Sequence, residues 1–126
     1  MSSEFATPPL IALPADLMFA ARIRDAATQA NVPVHMARSV SQVLELIESA
    51  TPAVIVDLDA RSGDPVALIA QVKRDHPGVR VLAFVSHVRE EAIAGARAAG
   101  ADQVLARSAF VKRLPELVRR YGGNTD

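Results

Sequence analysis

The chain has 126 residues, which fits one domain, since single domains cluster at roughly 100–150 residues. Half of it is apolar and 22% is charged, so a packed core is expected and a disordered chain is not. Lys plus Arg number 14 and Asp plus Glu 14, which leaves no broad basic field for nucleic acid, and the absence of Cys excludes disulfides, thiolate zinc sites and cysteine nucleophiles.

Residues 1–7 and 122–126 are polar and aperiodic and read as loose tails around a domain at 8–121. Leu10, Ile11, Ala12 and Leu13 make a continuous apolar run after Pro8-Pro9, a buried strand. Residues 15–30 carry Phe19, Ile23, Ala26, Ala27 and Ala30 at helical spacing, and Asn31 and Pro33 end that helix. Residues 32–37 read as a second strand. Ser39 is an N-cap ahead of Val40, Val43, Leu44 and Ile47, at i, i+3, i+4 and i+7. Thr51-Pro52 breaks that helix, and residues 53–56 form a third buried strand that stops at Asp57. A polar loop runs to Asp64, which can cap a helix that starts at Pro65 and shows Leu68, Ile69 and Val72 as its stripe. His76-Pro77-Gly78 is a stop and turn before a fourth strand at 79–85. Residues 88–99 form an Ala-rich helix ended by Gly100, and 101–106 a fifth strand. Leu114, Leu117, Val118 and Tyr121 mark a last helix, with Pro115 expected in its first turn or at a break just before it.

Five strand-then-helix units with strands apolar throughout predict a parallel sheet covered on both faces, a doubly wound α/β fold of flavodoxin type. Ligands of such sheets bind beyond the carboxyl ends of the strands. The residues to examine are therefore Pro14-Ala15-Asp16, residues 57–59, Ser86-His87 and Arg107-Ser108. With no Trp, one Tyr and four Phe, the chain is poorly equipped to stack bases or sugars. No apolar run approaches the ~20 residues that span a bilayer, and residues 1–9 lack the charged and apolar regions of a signal peptide, so a cytoplasmic protein is expected. Met1 and the polar ends read as a complete chain or a clean domain boundary.

Val54-Ile55-Val56-Asp57, Asp64 seven residues on, Ser86 after the fourth strand and Gly100-Ala101-Asp102 before the fifth resemble the receiver domain of bacterial response regulators. The resemblance covers about residues 8–121 and implies a CheY-like sheet of strand order 2-1-3-4-5. It implies that Asp57 stands at the phosphoacceptor position, that Ser86 is the hydroxyl residue that hydrogen-bonds the phosphoryl group, and that the backbone carbonyl of Asp59 helps to hold Mg²⁺. Several positions depart from the pattern. Pro14-Ala15 stand where the family has two acids, and Arg107-Ser108 where it has Lys-Pro. Val104 replaces the aromatic switch residue, Arg61 the usual proline and Pro65 the usual glycine.

Mg²⁺ wants oxygen ligands in near-octahedral geometry, so the loss of two acids predicts weak Mg²⁺ binding at best, with Asp57, Asp59 and Asp16 as the remaining candidate ligands. Arg107 carries a planar, permanent charge that can pair with Asp57 in a bidentate way, which would occupy the space of a phosphoryl group. The expected function is a phosphorylation-impaired protein-interaction module in two-component (phosphorelay) signalling. It is not an enzyme, since no catalytic acid–base pair can be named. One alternative is a working phosphoacceptor, phosphorylated on Asp57 by a histidine kinase, with a rearranged Mg²⁺ site. Another is a small-ligand-binding flavodoxin-like module, although Ser62-Gly63 lacks the glycines of a phosphate loop. The partner is expected to be a histidine kinase or an output protein. By the resemblance, the face of the fourth helix, fifth strand and fifth helix (Arg89, Glu90, Arg97, Val104, Arg113, Arg120) would bind it or a second copy. The plainer readings make Asp59 and Asp64 loop and cap residues, Asp16 an exposed first-turn acid and Ser86 a turn residue. His35, His76 and His87 are not in metal-ligand spacing.

Overall fold

The computed structural model describes residues 8–86 and 89–122. The elements alternate as β1 (Leu10–Leu13), α1 (Leu17–Ala30), β2 (Val34–Met36), α2 (Val40–Leu46), β3 (Ala53–Asp57), α3 (Pro65–Asp75), β4 (Arg80–Val85), α4 (Glu90–Ala98), β5 (Gln103–Ala106) and α5 (Arg107–Tyr121). The five strands are parallel and ordered β2-β1-β3-β4-β5, the doubly wound arrangement read from the sequence.

Alternate strand residues face opposite layers, because side chains on a strand have a period of two. Leu10, Ala12, Ala53, Ile55, Leu82 and Phe84 meet Phe19 and Ile23 of α1 and Phe110 and Leu117 of α5. Ile11, Leu13, Val54, Val56, Val81 and Ala83 meet Val43 of α2, Leu68 and Ile69 of α3 and Ala96 of α4. Each fully buried Leu, Ile or Phe contributes about 1.5–3 kcal/mol through the surface it removes from water.

The helix ends follow their capping chemistry. Ser39 Oγ accepts from Gln42 N–H, and Asp64 Oδ1 accepts from Val66 and Ala67 N–H with Pro65 as the first helical residue. Gly100 adopts a φ of 108°, which only glycine takes without strain. Its N–H reaches the Arg97 carbonyl and the N–H of Ala101 reaches Ala96, a Schellman closure that turns the chain into β5. Asp102 then accepts from Val81 N–H at 2.7 Å and pairs with Lys73 Nζ at 3.1 Å, while Lys73 also donates to the Val79 carbonyl.

Several sequence expectations need correction. Pro115 lies inside α5, which begins directly after β5 and runs unbroken. Phe110, Leu114, Leu117, Val118 and Tyr121 are all buried on one face, and Pro115 is on the exposed face, where the carbonyl it leaves free can meet water. Helix α1 starts at Leu17 and not at residue 15, because Asp16 is its cap. Strands β2 and β5 are shorter than expected, and α4 begins at Glu90. Val88 and His87 lie outside the described residues, as do residues 1–7 and 123–126. Gly122 is not the start of a loose tail: it is buried, and its N–H donates to the Val118 carbonyl. A Cβ there would sit 2.7 Å from both Val118 O and Val32 Cγ1.

The register sets the site. Leu13 pairs with Val56, Asp57 with Phe84 and Val85 with Ala106, so four strands end along one edge of the sheet. Residues 14–16, Asp57 to Asp59, Ser86 and Arg107 are thereby brought together from four separate stretches of chain.

Candidate functional site

Asp57, the last residue of β3, has a relative exposure of 0%. Its Oδ2 accepts from Ala15 N–H at 3.0 Å and from Arg107 Nη2 at 3.2 Å, and its Oδ1 accepts from Asp59 N–H at 2.9 Å. A buried carboxylate needs such partners, because an unpaired buried charge is costly. Burial pushes the Asp57 carboxyl above its ordinary value. The Asp59 and Ala15 N–H groups and the Arg107 charge oppose the rise, and the Asp59 charge adds to it.

Arg107 opens α5 directly after β5, so its side chain projects over the strand ends. Its guanidinium carbon lies 3.9 Å from the centre of the Phe19 ring, and Nη2 is also 3.9 Å from Asp16 Oδ2. Phe19 in turn stacks on Phe84 at 5.4 Å, and Phe84 on Phe110 at 4.0 Å. A flat cation on a ring braced by two more rings is held by cation–π attraction as well as by charge. Arg107 reaches Asp57 through one nitrogen, not the bidentate fork expected. Its Nε is buried without a hydrogen-bond partner among the described residues.

Asp59 is more than a loop acid. Its Oδ2 accepts from Ser86 N–H at 2.8 Å and its Oδ1 from Arg89 Nη1 at 2.9 Å. Burial works against its ionisation, but hydrogen bonding from Ser86 and Arg89 outweighs this and holds the carboxyl below its ordinary value. Asp59 thus ties the loop after β3 to the end of β4 and to the cap of α4. Asp16 is the N-cap of α1, with Oδ1 accepting from Phe19 N–H at 2.9 Å, and is not a first-turn acid. Asp64 caps α3.

A cleft of about 990 Å³ lies above the strand ends, lined by Asp16, Asp59, Arg61, Ser86, Arg89 and Arg107 among others. Asp57 does not line it. The Mg²⁺ that receivers use does not fit the donors present. Pro14-Ala15 offer no carboxylate, both oxygens of Asp57 are held by N–H groups, and both oxygens of Asp59 face Ser86 and Arg89. Asp57, Asp59 and Asp16 do not converge as a ligand set. Among the described residues no group of three or more His, Cys, Asp or Glu is placed to hold a metal ion. His35 is exposed on β2, and His76 is the C-cap of α3.

The face expected to bind a partner is only partly free. Arg89 is committed to Asp59, and Arg113 lies 3.5 Å from Glu116. Val104 packs against the α2–α4 core. Glu90, Arg97 and Arg120 are exposed.

Three parts of the site are not evident from the sequence. The Ala15 N–H is a backbone group that any residue but proline supplies. The ring of Phe19 read only as core. The Asp59 side chain had a visible signal, since an acid two residues past a strand end can return to the neighbouring strand, but its partners Ser86 and Arg89 lie 27 and 30 residues away.

No family model matches the chain, and no curated protein matches it by sequence. Solved structures do match in fold. A CheY-like response regulator receiver domain protein from Methanospirillum hungatei aligns with a TM-score of 0.80 at 15% identity, over 91% of this chain and 93% of that one. The signal receiver domain of an HD domain-containing protein from Pseudomonas fluorescens gives 0.79 at 19% identity, over 90% and 93%. A phosphorylated cyanobacterial phytochrome response regulator, RcpA, gives 0.79 at 13% identity, over 96% and 98%. No helix among the described residues is long and apolar enough to cross a membrane. By its strand order, its paired helical layers and these alignments, the chain has the CheY-like fold of response-regulator receiver domains.

Proposed function

We propose that this chain is a receiver-like signalling module of two-component type whose phosphoacceptor position is closed, and that it acts by binding a signalling protein. The observation that carries this reading is the contact between Arg107 and the fully buried Asp57. Phosphoryl transfer needs an accessible carboxylate oxygen in line with the leaving group, and cationic help at the transferring oxygens. Here Oδ1 is held by Asp59 N–H, and Oδ2 by Ala15 N–H and Arg107. Freeing Oδ2 would strip a buried charge of its ion pair, which costs about 3–5 kcal/mol where the pair is fully buried and less here, where Arg107 is partly exposed. Among the described residues no acid–base pair suited to turnover lines the cleft, and we read the module as a binding one.

The partner we infer is a histidine kinase or an output protein in the cytoplasm, met through exposed residues such as Glu90, Arg97 and Arg120. A second reading, a phosphoacceptor with a rearranged site, draws support from the open cleft that carries Ser86 and three arginines beside the strand ends. Incubation with acetyl phosphate and Mg²⁺, followed by intact mass measurement, separates the two. The closed-site reading expects no gain of a phosphoryl group. A gain that requires Mg²⁺ and disappears in Asp57→Asn establishes the second reading.

A further inference from the structure

We propose that the trough between α1 and the edge strand β2 docks an amphipathic, acidic helix of a partner protein. The inference adds a second contact surface, apart from Glu90, Arg97 and Arg120, to the module described above and so rests on that reading. On the α1/α5 side of the sheet, two helices among the described residues serve five strands, and β2 is the strand at the margin. Val34 and Met36 of β2 point to that side and are only partly buried. Across from them, Leu17, Ala20 and Arg24 follow at i, i+3 and i+7 on one face of α1. Leu17 is 87% exposed, and with its neighbour Met18 at 66% it makes up the exposed large hydrophobics among the described residues. Single exposed leucines are ordinary, but an exposed leucine beside a half-covered sheet face forms a continuous apolar surface.

These residues line a trough of about 620 Å³ whose charged rim is Arg24, Arg38 and Asp16. Asp16 is already engaged, with one oxygen capping α1 and the other facing Arg107. Arg24 and Arg38 form no ion pair among the described residues. The rim is therefore effectively cationic around an apolar floor, which complements an apolar stripe flanked by Asp or Glu. A helix suits the trough better than a strand. It can lie beside α1 at the usual helix–helix spacing and cover Val34 and Met36, whereas a three-residue edge strand offers few backbone groups for strand addition. A second copy meeting the same face would bring four arginines together, and like charges across an interface are repulsive.

The test is a titration of the full ¹⁵N-labelled chain with two synthetic helical peptides of about 14 residues, roughly four turns. Both carry a leucine stripe, flanked by Glu in one and by Lys in the other. The proposal expects saturable amide shifts confined to residues 15–24 and 34–38 with the Glu peptide, and binding at least about tenfold weaker with the Lys peptide. Leu17→Asp should abolish the shifts, and Arg24→Glu with Arg38→Glu should invert the preference. All three side chains are exposed, so the fold is not at stake. Equal binding of both peptides, absence of saturable shifts, shifts on another face, or a dimer of this chain that Leu17→Asp dissolves would each overturn the proposal. The state of Asp57 is judged by the phosphoryl mass measurement and not by this titration, so the two readings fail separately.

Discussion

Arg107 Nη2 lies 3.2 Å from Asp57 Oδ2, fifty residues apart in sequence, and the same guanidinium lies on the ring of Phe19. The guanidinium is thus held both by charge and by an aromatic platform, over a carboxylate that water does not reach.

That relationship predicts a coupling energy. Arg107→Met leaves the Asp57 charge buried with only two backbone donors, and should lower stability by about 1–3 kcal/mol, less than for a fully buried pair because Arg107 is partly exposed. Combined with Asp57→Asn, much of that loss should vanish, giving an interaction energy of about 1–2 kcal/mol in a double-mutant cycle. Urea unfolding of the four proteins measures it. Strictly additive losses would mean that the contact contributes nothing.

The two acids at and just after the end of β3, Asp57 and Asp59, should respond to pH in opposite senses. Asp57 has a folded pKa above its unfolded value, so its protonation favours the folded state. Its contribution is fully present below the unfolded pKa and is lost as pH rises through the folded pKa. Asp59 has a folded pKa below its unfolded value, so its contribution is present above the unfolded pKa and is lost as pH falls through the folded one. The stability of wild type relative to Asp57→Asn should therefore grow on acidification, and that relative to Asp59→Asn should shrink. Thermal unfolding between neutral and acid pH checks both signs in one series.

A third prediction concerns the opposite edge of the sheet. Asp102→Ala removes the acceptor of Val81 N–H and the ion pair of Lys73, and should cost about 1–2 kcal/mol. Gly100→Ala forces a Cβ into positive φ and to within 3.0 Å of Lys73 Cγ, and should cost at least about 1 kcal/mol. Both changes lie far from Asp57 in the fold, so neither should alter peptide or metal titrations at the other end. Chemical denaturation gives the losses, and an unchanged midpoint for Asp102→Ala would contradict the role assigned to it.

Much of the fold was legible because it rests on local signals. The apolar runs at Leu10–Leu13 and at residues 53–56, the caps Ser39 and Asp64, and Gly100 each act within a few residues of themselves. Pro115 misled because helix interiors disfavour proline, while five buried side chains on one face of α5 outweigh the loss of one exposed hydrogen bond. At the site, the strand-end positions of Asp57, Ser86 and Arg107 could be read from the element order. The role of Asp59 could not, because its side chain reaches across strands to partners that only the register brings near. Ala15 stands at a strand end, but its donor role is not legible for a different reason: the contribution is a backbone N–H, which carries no side-chain signature.

The closed state of Asp57 is tested most directly by titrating the ¹⁵N-labelled chain with Mg²⁺ and beryllofluoride beside Asp57→Asn. The account predicts no saturable change at the amides of Ala15, Asp59, Ser86 or Arg107 in either protein. A saturable, Mg²⁺-dependent change at those amides that is lost in Asp57→Asn would contradict it, and would mean that Arg107 yields the carboxylate to a phosphoryl group.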